Sequence, residues 1–231
     1  MAPKHSNSDS ANCELQWYGT DTEERYYKNL EKLKLANWVD CPITYKFNHF
    51  GFRADEFNTL EPSIIFVGCS HTLGVGLPVE LTWAHQVSTA LKLKNFNLGV
   101  GGASNDTAFR LANYWINQLN PTIVVFLSTE RTRSELHTID NDIEDLSVHR
   151  IDADEFPDAT SYMRHWFGND TNSDMNYFKN QLAIKQLCNE RDIKYFHHEA
   201  LNVHELDKAR DLQHYGILTN KQIAKYILNK L

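Results

Sequence analysis

The sequence predicts an α/β fold, a three-layer α/β/α sandwich with helices on both faces of a central parallel sheet. Three observations carry that expectation. Ser63–Gly68 (SIIFVG) and Thr122–Leu127 (TIVVFL) are short, nearly unbroken apolar runs, the pattern of strands covered on both faces. Stretches with helical spacing alternate with strand-like ones, as crossover helices do in a parallel sheet. The 231 residues are 42% hydrophobic and 23% charged, which suits one core of ordinary domain size.

The first twenty residues are polar and are expected to be poorly ordered at their start. Thr22–Ala36 follows as a helix, with Tyr26, Leu30 and Leu33 on one side and acidic residues early, where a helix N-terminus favours them. An irregular stretch containing Asn48–Arg53 leads to the strand at 63–68. Residues 1–59 are thus read as an N-terminal extension, a helix and an irregular lead-in, packed on a main domain of residues 60–231. Within that domain Thr82–Leu93 reads as a helix, Phe96–Leu98 as a short strand and Asp106–Leu119 as a helix. After the strand at 122–127, residues 135–172 are acidic and aromatic. They are expected to form an insertion over the sheet edge that shapes a cleft. Ser173–Arg191 reads as a helix, Ile193–Phe196 as a strand and Ile217–Leu231 as a terminal helix.

A net charge of −7 offers no electrostatic footprint for nucleic acid. Cys13, Cys41, Cys69 and Cys188 are scattered without a CxxC pair, so free thiols are expected rather than a disulfide framework. No apolar run approaches the roughly 18 residues that span a bilayer, and no secretory h-region is visible, which makes a cytoplasmic setting the expectation. Nothing in the sequence speaks to oligomeric state.

In parallel sheets, reactive groups gather beyond the carboxyl ends of the strands. Directly after the first buried strand stands Gly68-Cys69-Ser70-His71-Thr72-Leu73-Gly74. A serine on such a turn can expose its hydroxyl beside free backbone N–H groups; equally, a small polar residue can simply end a strand there. The second glycine of a Gly-x-Ser-x-Gly elbow is missing, as is the lysine of a P-loop. After the next strand, Asn97-Leu98-Gly99-Val100-Gly101-Gly102-Ala103-Ser104-Asn105 opens a helix. Its N–H groups can hold a developing oxyanion, and Ser104 or Asn105 can cap the helix. Farther on, Asp211-Leu212-Gln213-His214 sets an acid and an imidazole on one side of a helical turn, where the acid can orient the imidazole. By chance alone such a pair is often a surface turn. His197, His198 and His204 bring no carboxylate spacing that completes a metal-ligand set, and neighbours on a strand face opposite ways. Cys69, beside Ser70, would need a depressed pKa to compete as nucleophile. Trp115, Tyr162, Trp166 and Tyr177 read as packing residues, with those in the 160s also placed to line a cleft.

Taken together, the three segments resemble the SGNH hydrolases, also called GDSL esterases and lipases. Gly68-Cys69-Ser70 with Thr72 and Gly74 is similar to their first block, Asn97–Gly102 to the second, and Asp211 with His214 to the last. The resemblance covers roughly residues 60–231, and Asn48, Gly51, Phe52 and Arg53 look like a short lead-in. It implies a flavodoxin-like sandwich and a serine esterase working without metal or organic cofactor. Ser70 would be the nucleophile, His214 the base and Asp211 its orienting acid, with the Ser70 and Gly102 amides as oxyanion hole. Two positions depart from the pattern. Cys69 replaces the usual aspartate, and Ser128-Thr129-Glu130-Arg131 lacks the third-block asparagine that donates to the oxyanion. Arg131 is therefore a candidate oxyanion or substrate contact. The implied substrate is a small-molecule or carbohydrate ester with a small acyl group, O-acetyl among them. The alternatives are a non-catalytic domain that binds a glycan or protein partner, and an O-acyltransferase.

Overall fold

The computed structural model describes residues 2–58, 60–137, 143–147, 165 and 169–231. Its centre is a four-stranded parallel sheet of β3 (Ser63–Gly68), β4 (Lys94–Asn97), β5 (Ile123–Ser128) and β8 (Lys194–Glu199), in the order β4-β3-β5-β8. Helices cover both faces, so the chain forms the α/β/α sandwich. Alternate residues of each strand face opposite ways. Ile65, Val67, Val124 and Phe126 pack beneath α5 (Asn105–Leu119) and α6 (Asp170–Asn189), through Leu111, Trp115, Ile184 and Cys188. Ile64, Phe66, Val125 and Leu127 pack on the other face against α4 (Trp83–Leu91) and α7 (Ile217–Leu228), through Trp83, Val87, Ile223 and Ile227. Both faces of β3 and β5 are therefore dry, which is why those strands are unbroken apolar runs. Each fully buried aliphatic or aromatic side chain contributes about 1.5–3 kcal/mol relative to exposure.

From β3 the chain steps outward through α4 to β4, then returns over the opposite face through α5 to β5. The helix α4 that follows β3 and the helix α6 that follows β5 lie on opposite faces, so the strand order switches between these two neighbours, the place where such sheets bind ligands. Among the described residues no helix is long and apolar enough to cross a membrane.

Several boundaries differ from the sequence expectation, for physical reasons. The helix expected over 22–36 is two short helices, α1 (Glu23–Lys28) and α2 (Leu30–Leu35), with Asn29 between them outside helical geometry. Strand β8 runs on to Glu199 because parallel pairing with β5 carries it through His197 and His198. Residues expected to be loose near the start are instead packed: His5 and Asn7 are buried. A two-residue pairing of β1 (Glu14–Leu15) with β2 (Tyr45–Lys46) fastens this segment. A third cluster joins Leu33, Trp38, Tyr45 and Phe47 to Leu73, Val75, Leu77 and Ala209. The stretch expected as an insertion begins with an antiparallel pair, β6 (Arg133–His137) and β7 (Ile143–Ser147). Tyr162 and Trp166 lie outside the described residues.

Candidate active site

Ser70 is the first residue of α3 (Ser70–Leu73), directly past the end of β3. The turn is tight enough to require glycine before it. Gly68 has φ +155°, and a Cβ there would lie 2.3 Å from Thr72 Oγ1 and 2.5 Å from the Leu127 carbonyl. The Trp83 indole donates to the His71 carbonyl at 3.1 Å and holds the turn from the α4 side. Cys69 points into the core, 1% exposed.

The acid and the imidazole come from one closed loop. Lys208 and Tyr215 pair across its base, and the Ala209 amide donates to the His214 carbonyl at 2.9 Å. Inside it Leu212 takes φ +57°, so the segment is a turn and not the helical turn expected from the spacing. Asp211 Oδ1 accepts the Gln213 and His214 amides at 3.1 and 3.0 Å, which orients the carboxylate. Its Oδ2 lies 2.5 Å from His214 Nδ1, and His214 Nε2 lies 2.8 Å from Ser70 Oγ. A carboxylate only accepts, so Nδ1 carries the ring proton and Nε2 is left to accept from the serine. Burial works against the Asp211 charge, yet the hydrogen bond and positive charge of His214 and the Thr20 hydroxyl hold its carboxyl well below the usual carboxylate range. Ser70 and His214 are half-buried and Asp211 is buried.

The loop after β4 lies against this turn, with the Asn97 side-chain amide donating to the Thr72 carbonyl at 2.7 Å. Its N–H groups are nearly all engaged: Gly99 on Asn97 Oδ1, Val100 on the Gly68 carbonyl, Gly101 on Asn7 Oδ1 and Ala103 on the Val100 carbonyl. Among the described residues the amides of Gly102, at φ +78°, and of Ser70 donate to no partner. Ser104 caps α5 in a reciprocal bond with Thr107.

Arg131, past the end of β5, is paired with two carboxylates. Its Nη1 and Nη2 bond Asp174 and Glu199 at 2.5 and 3.2 Å, and its guanidinium lies 4.6 Å from the Tyr177 ring centre. Each terminal nitrogen thus spends one of its two N–H groups on a carboxylate. His197 is enclosed with Ser128 Oγ at 3.0 Å, Tyr177 Oη at 3.2 Å and Gln181 at 2.9 Å, and burial pushes it down to about 4.

Sequence reasoning missed the residues supplied by the N-terminal segment. Thr20 donates to Asp211 Oδ2 at 2.6 Å. Next to it, Asp21 is buried and takes two bonds from Arg210 at 3.0 and 2.7 Å. The Tyr45 hydroxyl donates to Asp21 at 2.6 Å and accepts the Gly76 amide at 2.8 Å. Arg53 donates to the carbonyls of Gly74 and Leu77 at 2.7 and 2.9 Å. These polar residues carry no periodicity, and their partners stand far away in the chain. His71 stacks on Tyr215 at 4.0 Å and lies edge-on to His214 at 4.8 Å. Burial first, then the charges of His214 and Arg133, push its pKa down to about 3, so it stands neutral beside His214.

No family model matches the chain, and no curated protein matches it. Solved structures similar to it include a G-D-S-L family protein described as lipolytic, from Desulfitobacterium hafniense. That protein is 14% identical over 75% of this chain and 100% of its own, with a TM-score of 0.39. An acetyl xylan esterase from the rumen bacterium Butyrivibrio proteoclasticus is 12% identical over 74% of this chain and 63% of that one, at 0.41. A lipase/acylhydrolase from Enterococcus faecalis is 13% identical over 73% and 94%, at 0.34. At these values, what the chain can do has to be read from its own side chains.

Proposed function

We propose that the protein hydrolyses carboxylic esters through an acyl-enzyme formed on Ser70. The observation that carries this reading is the unbroken relay from Ser70 Oγ through His214 to Asp211, with links of 2.8 and 2.5 Å. His214 Nε2 takes the hydroxyl proton as Oγ attacks the acyl carbonyl, and Asp211 supports the imidazolium that forms. The negative charge on the carbonyl oxygen is received by the Ser70 and Gly102 amides. His214 then returns its proton to the departing alcohol. Water, deprotonated by the same imidazole, releases the acid and restores Ser70. No step calls on a cofactor.

The acyl group is expected to be small, and the alcohol portion a small molecule or a carbohydrate. Labelling with a fluorophosphonate, alongside hydrolysis of an activated short-chain ester, tests the proposal. Both should vanish in Ser70→Ala; equal labelling and turnover in parent and variant would remove Ser70 as nucleophile.

One observation favours a second reading. The segment after β5 offers no asparagine, and Arg131 is ion-paired with Asp174 and Glu199. Losing one oxyanion donor costs about 10²–10³-fold in rate, so a domain that binds a glycan or protein partner without turnover is the rival. Binding to a carbohydrate array that survives His214→Ala, with no ester cleavage by the parent, would favour the rival. Acyl transfer to a sugar hydroxyl uses the same acyl-enzyme and would show as an acceptor-dependent rate.

A further inference from the structure

Thr20 stands in a tight turn that presents it to Asp211. Tyr18 and Asp21 exchange backbone hydrogen bonds at 2.9 and 3.1 Å, and Gly19, at φ +60°, lets the chain reverse between them. The turn cannot swing away, because Asp21 is locked to Arg210 and Tyr45, with Asp21 and Arg210 side chains 1% and 5% exposed. Two consecutive residues, Thr20 and Asp21, thus grip two consecutive residues, Asp211 and Arg210. Thr20 Oγ1 reaches Asp211 Oδ2 at 2.6 Å and lies 3.4 Å from His214 Nδ1.

We infer that Thr20 is a positioning residue of the acid–base pair, its hydroxyl sharing Asp211 Oδ2 with the imidazole. The inference rests on the esterase reading for its catalytic meaning, though not for its geometry. A donor on the carboxylate does two things. It fixes the rotation of the carboxyl group, and it draws off part of the negative charge that would otherwise act on His214. Removing it leaves Oδ2 with the imidazole as its remaining side-chain donor. The carboxylate then holds the imidazolium more strongly, and His214 becomes a stronger base in a looser relay. The groups facing that ring are Asp211 and Thr20 on the Nδ1 side, Ser70 on the Nε2 side and His71 edge-on. Arg133 and Lys208 act through their charges on His71. Substituting Thr20 alters none of these others.

The experiment is a titration of the His214 imidazole by NMR in the full chain, for the parent, Thr20→Val and Thr20→Ser, paired with the pH dependence of kcat/KM. In Thr20→Val the imidazole should titrate at higher pH, the acid limb of kcat/KM should move up with it, and the plateau should fall roughly tenfold. Thr20→Ser, which keeps the hydroxyl, should follow the parent in all three. A purely structural threonine would change thermal stability and leave the titration in place. The inference is overturned if His214 titrates alike in Thr20→Val and the parent, or if Thr20→Ser moves it as far as valine does. Turnover that is absent, or indifferent to Ser70→Ala, would sink the esterase reading instead, and the titration would still decide the role of Thr20.

Discussion

The two sides of the sheet's carboxyl edge are built differently. On the side of Ser70 and Asp211, each element is tied to the N-terminal segment by buried polar bonds. Thr20 and Asp21 hold the acid loop, Tyr45 and Arg53 hold the loop after α3, and Asn7 takes the Gly101 amide. On the side where β5 and β8 end, Arg131, Asp174, Glu199, Tyr177 and His197 bond chiefly to one another. The Glu199 charge is favoured there against its burial by Tyr177 and Arg131, which hold its carboxyl below the ordinary value. The first side leaves the Ser70 and Gly102 amides unengaged; the second satisfies its own charges. On the proposed esterase reading, preorganisation is thus concentrated on one flank.

The largest expected effects break the first flank at its reactive atoms. Ser70→Ala should lower kcat/KM by about 10⁴-fold or more, and Asp211→Asn by about 10³–10⁴-fold, because the imidazole loses its tautomer control. Steady-state rates on an activated ester read both. Next comes the support. Asp21→Asn leaves the Arg210 charge buried without a counterion and should cost about 3–5 kcal/mol of stability, measured by urea unfolding. A loss under about 1 kcal/mol would show that the N-terminal grip is incidental.

Acid sensitivity should be intermediate. His71 is pushed down to about 3 by burial and neighbouring charge, against an unfolded value near 6.5. The unfolded chain therefore binds the extra proton in that window, and stability should fall as pH drops from about 6.5 towards 3. His71→Phe, which keeps an aromatic ring against Tyr215, should flatten the fall in melting temperature between pH 6.5 and 4. An unchanged slope would discount the burial of this imidazole. The smallest effect tests the second flank: Arg131→Ala should change kcat/KM by less than about threefold. A loss near a hundredfold would mean that the guanidinium leaves Asp174 and Glu199 during turnover, and the comparison drawn above would collapse.

Much of this was legible in the residues because it is local. Unbroken apolar runs at 63–68 and 122–127 mark strands buried on both faces, and glycines around Ser70 and Gly102 mark turns that only small residues can make. The Asp-x-x-His spacing also showed, although its conformation did not; a left-handed Leu212 and an Asx-type bond carry it, where helix geometry had been expected. What did not show is long-range and polar. Nothing near Thr20 announces a partner 191 residues away, and Glu14–Leu15 is too short to read as a strand. The break at Asn29 interrupts a stretch whose spacing suits one helix throughout.

The grip of residues 20 and 21 on residues 210 and 211 bears on how the molecule comes into being. Contacts that join chain segments so far apart form late and slowly. During synthesis Thr20 must wait, already outside the ribosome, until the stretch through His214 has emerged. Until then the Ser70 hydroxyl has no base beside it. On the esterase reading proposed above, a nascent chain would hold Ser70 without its base, and the relay would form only as the acid loop closes against the Thr20 turn, 191 residues earlier in the chain.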